Sequence, residues 1–281
     1  SGGALGTGRE RGAGNGTQTS ALAYGGLTGP GAPNRTGVTE SYNGTAFSEV
    51  ADLTTTRYDI QGAGTDSTQA LCIGGQTGGG TQVITESWNG SGWTEVGDTN
   101  VAKAAGASAG TYTSAIAAGG DGDYNDAESW NGSSWTEISD MNGTKGIFAM
   151  SGVSNTAALA FGGLQPSPAT ILALTESWNG SSWTEVADLN SARESQSGSG
   201  TYTSAICVGG NNPAPTRLDV TESWNGSSWT EVADLSATKA KVMNNAGSDS
   251  TQALVSGGNP FATASEELNL PATSTVTFTV S

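Results

Sequence analysis

The segment Glu176-Ser-Trp-Asn-Gly-Ser-Ser-Trp-Thr-Glu185 decides the fold, because the chain repeats it. Copies start at Glu40, Glu86, Glu128, Glu176 and Glu222, and a degenerate sixth copy lies near Glu266. The copy at Glu40 is the looser one, with Tyr42 and Phe47 in the two aromatic positions. The copies recur about every 45 residues, which makes the internal repeat the organising feature of the chain.

Two further landmarks accompany each copy in a constant order. A Gly-Gly pair closes a short apolar run, and its first residue is Gly25, Gly74, Gly119, Gly162, Gly209 or Gly257. A basic residue precedes each apolar run, at Arg9, Arg57, Lys103, Lys145, Arg193 and Lys239. Three landmarks in one order, found six times, divide the chain into six units.

Each unit predicts four short strands. Asn-Gly between two apolar runs is a strong hairpin signal, and no segment has a helical period. Four strands in about 45 residues form one blade of a propeller. The sequence therefore predicts an all-β fold, a six-bladed β-propeller of four-stranded antiparallel blades.

The register of the Asn-Gly hairpin stays open at this point. A two-residue type I′ loop pairs Trp88 with Ser91, whereas a four-residue loop pairs Trp88 with Trp93. The two registers differ by two residues, so both put Trp88, Trp93 and Glu86 on the same face of the sheet.

The units define one domain, residues 1–281. The predicted blades span approximately 9–53, 54–99, 100–141, 142–189, 190–235 and 236–281. The alternating strand at 275–280 is expected to complete the last blade, with residues 1–8 lying beside it. The alternative for residues 1–8 is a linker.

The order Leu22, Gly25-Gly26, Tyr42, Phe47, Arg57 resembles kelch-type repeats, although the two aromatic residues enclose a shorter turn than a kelch hairpin usually has. The form Glu-Ser-Trp-Asn-Gly also resembles repeats in structural proteins of marine bacteriophages. This second resemblance implies a virion or appendage protein with protein partners, structural or host-attaching. Its expected location is the virion or the extracellular space.

Composition excludes several kinds of chemistry. The chain has no histidine, so histidine triads and imidazole catalysis are impossible. With 10 basic and 26 acidic residues, the net charge of −16 argues against nucleic-acid binding. No apolar run approaches the roughly 20 residues that span a bilayer, so no membrane insertion is expected. Cys72 and Cys207 lie at the same repeat position three units apart, so we expect buried free thiols.

The repeated side chains favour structural roles. The tryptophans are predicted to pack between blades: Trp88, Trp93, Trp130, Trp135, Trp178, Trp183, Trp224 and Trp229. The alternative is that exposed tryptophans stack on sugars, which would make the chain a secreted or surface lectin-like propeller that binds glycans. The repeated acids are expected to pair with repeat bases such as Arg57 and Arg193. Since an active site is normally single, the sequence predicts no enzyme and no catalytic residue.

One acidic cluster departs from the repeat. Its members are Asp121, Asp123, Asn125 and Asp126. Alternating Asp and Asn oxygens suit Ca²⁺, although the spacing is not that of an EF-hand. Ca²⁺ is therefore the one cofactor that the sequence suggests, and the competing expectation is no cofactor.

The loops that follow each Gly-Gly pair vary in length and sequence. In an antiparallel blade these loops share one rim with the connections between blades, and the uniform Asn-Gly turns lie on the opposite rim. Function on a rigid scaffold concentrates in such loops, whereas neutral drift is the alternative. The candidate binding residues are Arg35, Gln76, Gln82, Tyr124, Gln165, Asn211, Asn212, Arg217 and Phe261.

Overall fold

The computed structural model of the protein describes residues 3–121, 125–214, 216–242 and 244–270, and it is an all-β ring of small antiparallel sheets. In these residues no helix is long and apolar enough to cross a bilayer. The prediction of a β-propeller is confirmed.

The strands occupy equivalent positions in successive units. The innermost strands are Ala13–Thr17, Gln61–Asp66, Ala107–Thr111, Ala149–Ser154, Ser197–Gly200 and Asn244–Asp249. The second strands are Ser20–Tyr24, Gln69–Ile73, Ser114–Ala118, Ala157–Phe161, Ala205–Val208 and Gln252–Ser256. The third strands are Thr39–Tyr42, Thr85–Trp88, Ala127–Trp130, Thr175–Trp178, Thr221–Trp224 and Ser265–Asn269. The outer strands are Phe47–Glu49, Trp93–Glu95, Trp135–Glu137, Trp183–Glu185 and Trp229–Glu231. The loops add short strands at Gln76–Thr77, Gly80–Thr81, Leu164–Pro166 and Ala169–Ile171, and a 3-10 turn at Ala32–Asn34.

The predicted number of blades is wrong, because the described residues form five four-stranded blades and not six. Within the described residues the sixth repeat forms a three-stranded sheet, here called the closing sheet, whose third strand is Ser265–Asn269. The physical reason lies in the sequence after Glu266, which lacks the Trp-Asn-Gly-Ser-Ser-Trp hairpin that folds the outer strand back in the other units. The predicted strand at 275–280 lies outside the described residues.

Backbone hydrogen bonds of the Gly-Gly pairs close the ring. The second glycine of each pair donates its N–H to the carbonyl of the next unit's basic residue, as Gly26 does to Arg57 at 2.8 Å. The bond from Gly258 to Arg9, at 3.0 Å, joins the closing sheet to blade 1. Gly25 and Gly26 both have positive φ, 63° and 101°, which explains why glycine recurs there.

The N-terminal segment takes part in this closure. The Leu5 N–H donates to the Thr263 carbonyl at 2.9 Å, and the Ser265 hydroxyl donates to the Gly3 carbonyl. The Gly6 N–H donates to Glu40 at 2.6 Å, as the Thr54 N–H does to Glu86 in blade 2. Residues 3–8 therefore act as the connection that leads into blade 1, between it and the closing sheet.

The hairpin register is that of the four-residue loop. Trp88 pairs with Trp93 and Glu86 with Glu95, and the equivalent residues pair in blades 3, 4 and 5. The Asn89 side chain stabilises the loop, since its Oδ1 accepts the N–H groups of Ser91 and Gly92, both at 3.0 Å. The turn chemistry of Asn therefore explains the repeated Asn without a type I′ turn.

A buried ion pair holds each unit together. The pairs are Arg9–Glu40, Arg57–Glu86, Lys103–Glu128, Lys145–Glu176, Arg193–Glu222 and Lys239–Glu266. In blade 2, Arg57 also donates to the carbonyl oxygens of Gly74 and Ile84, both at 2.7 Å. One arginine thus joins the ends of the second and third strands, while Glu86 accepts N–H groups from the chain entering the blade.

The tryptophans lie between blades. All eight are buried, none more than 7% exposed, and Trp88 and Trp93 contact each other with ring centroids 5.5 Å apart. The Trp93 indole N–H donates to Thr39 Oγ1 of the preceding blade at 3.0 Å. Their rings therefore present no open face for a sugar.

Successive units of the ring alternate in the regularity of their innermost strand, a feature that the sequence did not predict. The innermost strands of blades 2 and 4 and of the closing sheet contain a register shift, whereas those of blades 1, 3 and 5 are regular. The Ser20 hydroxyl bonds Ser67 at 2.8 Å, and Ser204 bonds Ser250 at 2.9 Å in the same way. The register of the innermost strand thus alternates from unit to unit around the ring. The matching segments Gly-Thr-Tyr-Thr-Ser at 110–114 and 200–204 carry this signal.

Both cysteines are fully buried and free, as expected. Burial raises the pKa of Cys72 and of Cys207 to about 12. We therefore expect no labelling of the native protein by a thiol reagent at pH 9, and two labelled thiols per chain after unfolding in urea. Mass spectrometry of the quenched reaction measures this. Rapid native labelling would contradict the buried packing of the second strands.

Candidate functional site

One rim of the ring carries both the variable loops and the connections that enter each blade. Isolated bridges join them, for example Glu10 with Leu27, Tyr58 with Gln76 and Glu194 with Asn211. On the opposite rim the Asn-Gly turns lie against the first turn of each blade, as Gly90 does against Thr68. The rim with the bridges is called the variable rim below.

Several predicted binding residues organise the variable rim. Gln76 accepts a hydrogen bond from the Tyr58 hydroxyl at 2.8 Å and donates to Asp121 at 3.0 Å, which connects the loops of blades 2 and 3. The Asn212 side chain accepts the N–H groups of Ala214 and Thr216 and so orders its own loop.

The other candidates lie on the same rim in separate loops. Gln82 and Gln165 donate to carbonyls of their own hairpins, at Gly80 and Ser167. The Arg35 guanidinium lies beside Gly78 of the next blade. Asn211 forms a backbone bridge with Arg217, whose side chain is exposed, and Phe261 is half-buried. Tyr124 lies outside the described residues.

The candidate calcium ligands have other partners where they are described. Asp121 accepts from Gln76, Asn125 donates to Asp140 at 3.4 Å, and Asp126 forms an ion pair with the buried Lys103. Within the described ranges, no group of three or more acidic or cysteine side chains could hold a metal ion. Asp123 lies outside them, so the calcium site stays a prediction.

The positive charges of the protein are sharply segregated. Of the ten basic residues, six belong to the buried pairs. The other four, Arg11, Arg35, Arg217 and Lys241, all lie on the variable rim. The outer strands instead expose carboxylates, at Glu49, Glu95, Glu137, Glu185 and Glu231. The variable rim is therefore the one surface of this acidic protein that carries Lys or Arg side chains.

A channel runs along the innermost strands. Glycine is the most frequent residue of its wall, for example Gly14, Gly62, Gly110, Gly152 and Gly198, and the channel encloses a cavity of about 230 Å³. The innermost strand of each blade pairs on one side only, so backbone groups of its other edge contribute to this wall.

A closed ring of backbone hydrogen bonds surrounds the mouth of the channel on the variable rim. The residue two positions after each repeat base donates its N–H to the carbonyl of the equivalent residue in the preceding unit. The donors and acceptors are Asp59 to Arg11, Ala105 to Asp59, Ile147 to Ala105, Ser195 to Ile147, Lys241 to Ser195 and Arg11 to Lys241, at 2.6 to 3.4 Å. This set is called the mouth ring below.

All six residues of the mouth ring are left-handed, with φ between 54° and 61°, although none is glycine. Such a conformation costs non-glycine residues about 1–3 kcal/mol each and is least favourable for β-branched Ile147. Sequence reasoning missed this ring because its side chains differ from unit to unit. The constant distance from the repeat base was the available signal.

The mouth ring lines a cavity of about 220 Å³ together with the residue that follows each member. Arg11 donates through Nε to Asp59 at 2.5 Å and lies over the Tyr58 ring at 4.9 Å. Burial raises the pKa of Asp59, and the Arg11 guanidinium opposes that rise. Two ring members thus form an ion pair. Of the other ring members, Ala105 and Ile147 are apolar, Ser195 carries a hydroxyl group, and Lys241 carries a second positive charge on the ring.

The fold and this rim define the class: the chain is a β-propeller with small four-stranded antiparallel blades. No protein-family model matches the chain, and no curated protein matches it. The kelch-type and phage likenesses therefore stay resemblances of the repeat.

Proposed function

We propose that this propeller is a non-enzymatic protein-binding module of a virion or extracellular appendage, acting in assembly or host attachment, and that the variable rim contacts the partner. The proposal rests on one observation: the variable loops and the unburied basic side chains lie on the same rim. Loops that differ between units and every basic side chain outside the buried pairs share one rim, while the opposite rim repeats the same Asn-Gly turns.

Two considerations support this role over the alternatives. The Glu-Ser-Trp-Asn-Gly form of the repeat resembles those of marine phage structural proteins, which favours a particle. The buried tryptophans remove the stacking surface on which the glycan-binding alternative depended.

Lysine placement makes the rim testable by cross-linking. Lys103, Lys145 and Lys239 are buried in ion pairs, so Lys241 on the variable rim is the accessible lysine side chain. We expect the protein to sediment with intact particles. We also expect an amine-reactive reagent to join Lys241 to another particle protein, as identified by mass spectrometry.

A carboxylate-reactive dihydrazide is the matched control, because the exposed outer-strand residues such as Glu95 and Glu185 report contacts away from the rim. If cross-links form only from these outer residues, the partner contacts the outer strands and not the variable rim. Recovery of the protein only as a free species would refute the particle role. Saturable binding to a glycan array would then favour the lectin-like alternative.

A further inference from the structure

The buried ion pair of blade 3 departs from the pattern of the repeat. Lys103 Nζ lies 3.4 Å from Oε1 of the repeated glutamate, Glu128, and it also contacts Oδ1 of a second acid, Asp126. The side chains of Lys103, Asp126 and Glu128 are 1%, 7% and 0% exposed. Blade 3 therefore buries one amine and two carboxyl groups together, and this set is called the lysine cluster below.

Asp126 occupies a position that is apolar in the other units. Its carbonyl accepts the N–H of Gly119, the first glycine of the Gly-Gly pair, and the same backbone bond identifies the equivalent residue elsewhere. These equivalents are Val38, Ile84, Leu174, Val220 and Ala264. Packing at this position thus does not require an acid.

Blade 4 shows that a buried lysine of this chain is accommodated by a single acid. Lys145 is fully buried and pairs with Glu176 at 3.0 Å. The second acid of blade 3 adds a further ionisable group to the interior, where charges are costly. A reaction that removes charges from the lysine cluster is therefore favoured.

Glu128 is held in place independently of Lys103. Its Oε2 accepts the backbone N–H of Asn100 at 2.8 Å and the side-chain amide of Asn100 at 2.7 Å. Its Oε1, the oxygen near Lys103, accepts the Val101 N–H at 3.1 Å. A carboxyl group fixed beside an amine in this way is placed to carry a proton.

We propose that Lys103 and Asp126 condense into an intramolecular isopeptide bond, with Glu128 as the proton carrier. Proton transfer from the Lys103 ammonium to the Asp126 carboxylate gives a neutral amine and a neutral acid. The Nζ lone pair attacks Asp126 Cγ, and Glu128 takes a proton from the nitrogen and delivers it to the departing hydroxyl. The Cγ–N bond forms, the Cγ–O bond breaks and one water leaves, so the step needs no co-reactant.

The geometry of the lysine cluster favours this condensation. Because Lys103 Nζ contacts Oδ1, it lies within reach of Cγ, to which that oxygen is bonded. Reacting groups held in position reach effective molarities of about 10⁵–10⁸ M. Exclusion of water from the buried site opposes the reverse hydrolysis. The bond joins the chain entering blade 3 to the start of its third strand, and it goes beyond the proposed partner contact without depending on it.

The test is the mass of the full chain, measured by mass spectrometry after denaturation. We expect a mass below that of the sequence by one water, about 18 Da. After proteolysis we expect a branched peptide that joins Lys103 to Asp126. The full sequence mass would overturn the proposal. A missing water located at Asp121-Gly122 would also overturn it, because a succinimide there opens in mild alkali whereas an isopeptide bond survives.

Substitutions taken from other blades provide the controls. Lys103→Arg introduces the arginine of blades 1, 2 and 5, and Asp126→Leu introduces the leucine of blade 4, so both are expected to fold and to show their full sequence mass. Lys145→Arg is expected to keep the loss of one water. A loss that persists in Lys103→Arg or Asp126→Leu would refute the assigned bond.

Glu128→Gln tests the proton carrier separately, since it leaves both reacting groups in place. We expect this variant to keep its full sequence mass while its tryptophan fluorescence remains that of the folded protein. Complete loss of water in Glu128→Gln would overturn the role of Glu128. The readouts use the isolated chain, so they are independent of particle association.

Discussion

Replacing Arg57 by methionine is expected to lower the free energy of unfolding by about 3–5 kcal/mol. Arg57 and Glu86 are fully buried, so the substitution leaves a carboxylate in the interior without its cation. The carbonyl of Gly74 also loses its donor. Urea unfolding followed by tryptophan fluorescence measures the change.

The closing sheet provides a matched control. Lys239 and Glu266 form the equivalent pair, but their charged atoms are 3.7 Å apart and the Glu266 side chain is 20% exposed. Lys239→Met is therefore expected to cost only about 1 kcal/mol. A double variant, Arg57→Met with Glu86→Gln, is expected to be more stable than Arg57→Met alone, since no buried charge is then uncompensated. Equal costs for Arg57→Met and Lys239→Met would contradict this account.

The same pairs explain the composition of the chain. Six basic residues form ion pairs inside the ring, and each paired glutamate also accepts N–H groups from the chain entering its unit. Repeated carboxylates that resemble a catalytic or metal-binding set by sequence are thus occupied by structural contacts. The glycines of the Gly-Gly pairs and Asn-Gly turns are likewise explained by the backbone conformation at their positions in the repeat.

Repetition made the propeller, the rim assignment and the inter-blade tryptophans predictable, because each depends on spacing that the chain copies. The number of complete blades was not predictable by counting units. It depends on the local ability of each unit to form its outer hairpin, which the sequence around Glu266 does not encode in the repeated form.

The mouth was missed for a different reason. Arg11 and Lys241 belong to no repeated residue type, and their left-handed backbone is imposed by a hydrogen-bonded ring formed from all six units. A tertiary constraint of this kind has no local sequence signal beyond a fixed distance from the repeat base. Candidate residues chosen for variability alone therefore covered the loops and not the mouth.

Neighbouring blades fit together through complementary side-chain sizes. Tyr24 of blade 1 lies over Gly62 of blade 2, and Phe161 of blade 4 lies over Gly198 of blade 5. At the equivalent position between blades 3 and 4 the sizes are reversed, with Ala118 and Met150 in the same core cluster. At these three interfaces each large residue thus has a small partner in the adjoining blade, which lets the blades pack closely.

Gly62→Ala is accordingly expected to destabilise the protein by about 2–3 kcal/mol. An added methyl group would overlap the Tyr24 hydroxyl and lie 3.2 Å from Cζ of the same ring. Tyr24→Phe alone is expected to cost about 1 kcal/mol, because the hydroxyl donates to the Leu71 carbonyl at 2.9 Å. The measurement is again urea unfolding.

The double variant decides whether the hydroxyl is the obstacle. Removing it relieves the shortest contact, although the methyl group still lies 3.0 Å from Ala13 Cβ and 3.2 Å from the ring Cζ. Tyr24→Phe with Gly62→Ala is therefore expected to be about 1 kcal/mol more stable than the sum of the single costs predicts. Gly92→Ala is the matched control, since no atom lies near the position of its added methyl group, and it is expected to change stability by less than about 0.5 kcal/mol. Additive costs at Tyr24 and Gly62 would show that the two residues do not specify this blade interface.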